Sequence, residues 1–177
     1  MIRNDFVSNS SSSSFIVIAK IVSNKEMKKT QEEVKNIKKI LLPAKYGTYC
    51  FGWEHKVYDD IWSKLNFCAI QLHDLKRCDT SKKNLSKMPK YYREFYEKYT
   101  FDKCLKLFKN VCKDHLNLDV DIKLEYNEDE EWDYVIDHQS SVIEARNMNM
   151  FKDKQTLYNF LLTSESYIQG GNDNDPY

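Results

Sequence analysis

Five consecutive apolar residues, Phe15-Ile16-Val17-Ile18-Ala19, directly follow five consecutive serines, Ser10, Ser11, Ser12, Ser13 and Ser14. The apolar run is short, largely β-branched and continuous rather than alternating. It predicts a strand covered on both faces and extending to about Val22. It is far too short to span a bilayer. A strand of this kind needs partners beside it and helices over it, which already points to a mixed fold.

Helical spacing follows. Ser23-Asn24-Lys25-Glu26 has the capping-box pattern, and Met27, Val34, Ile37 and Leu41 form an apolar stripe. This predicts a helix running to about Leu42 and stopped by Pro43. A short strand is expected over 46–53. A second helix is expected over 57–76, with Val57, Ile61, Leu65, Cys68, Ala69, Leu72 and Leu75 recurring at helical intervals. Pro89 opens a third helix, in which Tyr92, Phe95, Tyr96 and Tyr99 share one face. Thr100 is positioned to cap a fourth, which carries Phe101, Cys104, Leu105, Phe108 and Val111.

Beyond it, Leu118, Val120, Ile122, Leu124 and Tyr126 alternate with charged residues, and Trp132, Tyr134 and Ile136 alternate again. The stretch 118–137 is expected to be a β-hairpin closed by the acidic turn 127–131. A short helix over 156–162 and a last strand over 166–169 complete the chain. The fold class is therefore α+β: a single domain whose small mixed or antiparallel sheet is packed by about four helices. Its expected parts are a serine-rich segment 1–14, the domain 15–169 and an acidic tail 170–177. A chain of 177 residues can bury a core without covalent staples.

Five cysteines, an odd number and mostly inside apolar patterns, fit free thiols in a reducing compartment. With no secretory pattern at the N terminus, a cytoplasmic location is expected and no membrane association. The net charge is zero, but 23 of the 27 basic residues lie in 1–118 and 14 of the 27 acidic ones in 119–177. Such polarity suits attraction between the two ends in the fold, or a surface that engages a charged partner.

Several groups have chemistry to offer. The serine run supplies hydroxyls and N–H groups that can hold a phosphate or another polar ligand; a flexible polar leader is the simpler reading. His138 follows the second alternating segment and can act as a base, although its neighbour Asp137 projects to the opposite strand face. The tail offers Asn172 and Asp173 beside Gly170 and Gly171. A ligand-binding set is thus Ser10, Ser11, Ser12, Ser13, Ser14, Asp137, His138, Asn172 and Asp173. No catalytic assignment follows, because no nucleophile-elbow motif is present. The pairs Cys50/His55, Cys68/His73/Cys78 and Cys112/His115 lack zinc-knuckle spacing, so no metal and no cofactor is expected. Lys28, Lys35 and Lys39 on the first helix and Glu128, Asp129, Glu130 and Glu131 in the acidic turn are candidates for an interaction surface. The tyrosine-rich stripe over 92–99 has core spacing, although lysine and aromatics together also suit unpaired bases.

The opening Arg3-Asn4-Asp5-Phe6-Val7-Ser8-Asn9, its serine run and Phe15 resemble the start of a set of uncharacterised proteins from Clostridium-like bacteria and their phages. The resemblance implies a bacterial or phage setting and brings no activity with it. The function expected first is protein binding, including inhibition of a host system that handles nucleic acid. A small enzyme or ligand-binding protein built on the serine run, His138 and the tail is the alternative. A single-strand nucleic-acid binder is the third.

Overall fold

A computed structural model of the chain describes residues 2–3, 12–44, 49–51, 56–79, 90–123, 134–136 and 146–172. The first elements are β1 (Ile2–Arg3), β2 (Ser12–Ile18), α1 (Asn24–Val34), β3 (Lys39–Leu42), β4 (Tyr49–Phe51) and β5 (Lys56–Tyr58). Three helices follow: α2 (Ile61–Asp79), α3 (Lys90–Lys98) and α4 (Phe101–Leu116). Then come β6 (Asp119–Ile122), β7 (Tyr134–Ile136), a 3-10 turn at Arg146–Phe151, α5 (Lys154–Leu162) and β8 (Tyr167–Asn172). The class is α+β, as expected.

The apolar run does form a strand, but β2 starts inside the serine run. It pairs antiparallel with β8, which in turn pairs with β5, giving the sheet order β1-β2-β8-β5. This sheet crosses both boundaries drawn from the sequence, at 14/15 and at 169/170. Ile16 and Val17 are both buried, which is the two-sided cover their continuous apolarity called for.

The expected first helix is cut short. Its capping box is present, with Ser23 Oγ accepting from Glu26 N and Ser23 N donating to Glu26 Oε2. The helix nevertheless ends at Val34, and 39–42 is extended. Ile40 and Leu42 are buried while Lys39 and Leu41 are exposed, a period of two rather than 3.6. The expected second helix also begins later, because Val57 belongs to the edge strand β5 and is exposed.

The hairpin over 118–137 is corrected. Among the described residues β6 and β7 do not pair with each other. β6 pairs parallel with β3, and β7 pairs parallel with β4. Alternation says only that a strand has one wet face; it does not say which strand lies beside it. Here the wet face of β6 meets lysines. Asp121 binds Lys109 at 2.8 Å and Lys39 at 3.2 Å, and Asp119 binds Lys113 at 3.1 Å. These pairs join the basic and acidic parts of the chain, the attraction that its charge polarity suggested. Each is exposed and contributes about 0–1 kcal/mol.

The helices fill the space between the strands. α2 is buried almost all round from Ile61 to Leu72 and packs on β3, β4, β6, β7, α4 and α5. Phe67 stands at its centre, edge-on to Phe51 at 5.0 Å and 6.5 Å from Phe160. α4 buries Phe101, Cys104, Phe108, Val111, Cys112 and Leu116, one stripe at helical spacing. It ends with Asn117 in the left-handed conformation, where Leu118 N reaches back to Cys112 O at 3.2 Å. Just past α3, Tyr99 is buried with its ring tilted against that of Phe95 at 5.2 Å, in keeping with a core stripe.

Acid should weaken this arrangement. Lys109 and Lys39 hold the Asp121 carboxyl below its ordinary range, and Thr163 and Ser23 do the same for Glu26. A carboxylate lowered in the folded state contributes stability above its unfolded pKa and loses it as pH falls through the folded one. Urea midpoints should therefore fall progressively below about pH 4. Asp121→Asn should flatten that decline; an unchanged slope would remove Asp121 from the acid response.

Candidate functional site

The strand pairing brings part of the expected ligand-binding set together. Ser12 lies opposite Asn172, Ser13 opposite Gly171 and Ser14 opposite Gly170. Gly170 is buried and also faces Lys56 of β5, so it sits in the middle of three strands. The serines from 12 onward are thus strand residues paired with the C-terminal segment. Ser10, Ser11, Asp137, His138 and Asp173 lie outside the described residues, as do Glu128, Asp129, Glu130 and Glu131. Of the expected surface lysines, Lys28 is exposed, Lys35 pairs with Glu32, and Lys39 pairs with Asp121.

A concave site occurs at the opposite end of β2, about 20 Å from Ser12 at strand rise. A cavity of about 360 Å³ opens there, lined by Ile16, Ile18, Ala19, Lys20, Asn149, Lys152, Thr156 and Asn159. A separate groove of about 220 Å³ shares Ala19 and Lys20 with it and is bordered by Ile21 and Glu165. Ile21 is 78% exposed there. The volume falls in the lower part of the range for small-molecule sites, about 300–1,000 Å³.

The rim is held by hydrogen bonds rather than left as free loop. Ala19 N donates to Ser166 Oγ at 2.8 Å, and Ser166 Oγ donates to Asn159 O at 2.8 Å. Asn159 Nδ2 donates to Lys20 O at 3.0 Å, and its Oδ1 accepts from Gln155 Nε2 at 2.8 Å. Asn159 is only 6% exposed, and an amide of its kind can make four hydrogen bonds. The α5 N terminus is closed by Asp153, whose Oδ1 accepts from Thr156 N and from Thr156 Oγ1, each at 2.7 Å. These contacts hold the Asp153 carboxyl below its ordinary range.

The sequence carried one hint of this site. Asn159 interrupts the apolar helix Leu157, Phe160 and Leu161, and a polar residue on such a stripe invites the question of what it binds. Lys20, Asn149 and Lys152 lie in connecting segments whose approach to β2 is a tertiary matter.

A second polar junction adjoins the rim at Ser166, whose N–H donates to Thr163 O at 3.2 Å. Lys64, 1% exposed, donates from Nζ to Thr163 O at 2.6 Å. Thr163 Oγ1 donates to Glu26 Oε1. Burial pushes the Lys64 amine down to about 8, against the pull of Asp59, Asp60, Glu26 and Glu33. Its position three residues after Ile61 and four before Cys68 places a lysine on an apolar helix face, a signal visible in the sequence.

Among the described side chains, Cys68, Cys104 and Cys112 are core residues. Burial raises the thiol pKa of Cys68 and Cys112, and pushes Cys104 up to about 12. Cys68 Sγ lies 3.7 Å from Met150 Sδ. Among the described residues no three His, Cys, Asp or Glu side chains come together as a metal site, and no helix is long and apolar enough to cross a membrane.

Comparison with protein-family models, curated proteins and solved structures returned no match.

Proposed function

We propose that the protein is a ligand-binding protein whose site is the cavity at the C-terminal end of β2. The observation that carries this reading is the hydrogen-bonded rim. Ala19 and Lys20 are tied to α5 and to Ser166, so the cavity is pre-organised rather than dependent on closure. Its wall combines an apolar floor with a few polar groups, the composition of small-molecule sites. The bacterial or phage setting implied by the N-terminal motif suits this role as well as it suits the binding of a protein partner.

A screen of small aromatic and aliphatic acids, alcohols and amides by NMR tests the reading. Ligands should shift the resonances of Ile16, Ile18 and Ala19. Ile18→Phe, which fills the cavity, should weaken them at least tenfold. Hits that cluster elsewhere and are indifferent to Ile18→Phe would overturn it.

A further inference from the structure

We infer that the ligand is an organic anion, an apolar body bearing one carboxylate or phosphate group, with Lys20 and Lys152 holding the charge. This rests on the ligand-binding reading above.

Two lysines supply the positive charge of the cavity. Lys20 and Lys152 line the same cavity; among the described residues neither forms a salt bridge, and Lys152 acts on its neighbour Asp153 only through its field. Two acids lie near them. Asp153 is committed to the N terminus of α5 through Thr156, and Glu165 borders the adjoining groove rather than the cavity. Two lysines lining one concave site raise the local concentration of anions.

The rest of the lining selects what the anion is attached to. Ile16, Ile18 and Ala19 form an apolar floor that gains from covering a hydrocarbon or aromatic body. Thr156 gives its hydroxyl proton to Asp153, so it can only accept from a ligand. Asn149 and Asn159 offer amides, and Asn159 engages one of its two N–H bonds within the protein. A bare inorganic ion would satisfy the lysines and leave the floor wet. A neutral apolar molecule would cover the floor and gain nothing from the lysines.

Phenylacetate, phenyl phosphate, phenylacetamide and inorganic phosphate separate these cases when titrated into the full chain by NMR and calorimetry. The two organic anions should bind at least tenfold more tightly than phenylacetamide and than inorganic phosphate, shifting Ile16, Ile18 and Ala19. Combining Lys20→Met with Lys152→Met should bring phenylacetate down to the level of phenylacetamide, while leaving the amide unchanged and the protein folded. The better of the two organic anions then identifies the head group. Equal affinity for acid and amide, or an unaltered acid affinity in the double variant, overturns the anion assignment while the cavity remains a ligand site. Inorganic phosphate binding as tightly as phenyl phosphate overturns the apolar body. If none of the four shifts the cavity residues, the ligand-binding reading falls with the inference.

Discussion

Phe67→Ala should destabilise the protein by about 3–5 kcal/mol, a large share of the roughly 5–15 kcal/mol that holds a domain together. Phe67 is fully buried on the central helix and contacts aromatic rings from β4 and α5. Truncation removes the transfer free energy of the ring and leaves a void between elements that cannot all collapse inward together. The edge-on contact with Phe51 at 5.0 Å adds about 0.5–1.5 kcal/mol that no aliphatic replacement restores. Phe67→Leu should therefore fall between the two. Urea denaturation at pH 7 provides the check, and a loss below about 1 kcal/mol for the alanine variant would show that the helix is not the hub its burial implies.

The second large effect has the opposite sign. Lys64→Met should stabilise the protein by about 1–3 kcal/mol at pH 7, because a buried ammonium is replaced by an apolar chain of similar length. Thr163 O keeps a hydrogen bond after the change, since Ser166 N also donates to it at 3.2 Å. Lys64→Ala should instead destabilise, by leaving a cavity. The unfolded chain holds the lysine proton to about 10.5 and the folded chain only to about 8. Between those values unfolding takes up a proton, so raising the pH favours the folded state. The advantage of the methionine variant should accordingly shrink from pH 8 to 10. Buried thiols work the other way: Cys104 stays neutral to about 12 when folded, but ionises near 9 when unfolded. That contribution is common to wild type and variant and cancels in their difference. A methionine variant less stable than wild type at pH 7 would mean that the ammonium contributes more than its desolvation costs.

Neither Lys64 nor Phe67 lines the cavity at the end of β2, although Lys64 shares Thr163 O with Ser166 of its rim. The two sites also differ chemically. At Lys64 the charge is enclosed and directed at a helix-end carbonyl, whereas Lys20 and Lys152 are exposed at the surface. Only the second arrangement is accessible to a ligand.

The local parts of this fold were legible because they obey local rules. The capping box at Ser23, the stripe of α4 and the buried run of β2 each form where residue spacing and side-chain chemistry placed them. The departures share one cause. Residues 39–42 carry apolar side chains at positions that suit either a helix or a strand, and pairing with β6 decided for the strand. Residues 118–123 declared a strand with one wet face, yet their partner lies some eighty residues earlier in the chain. Nothing local encodes such a pairing, since a parallel neighbour needs a long crossover whose return point is set by packing.

The same division separates the two ends of β2. By itself, the sequence determined that an apolar strand follows the serine run and that one end of the chain is basic and the other acidic. Only the tertiary structure decided that the serines pair with the C-terminal segment. It also decided that Lys20 and Lys152 line one cavity with Ile16 and Ile18, because a cavity belongs to the gaps between packed elements and to no single element.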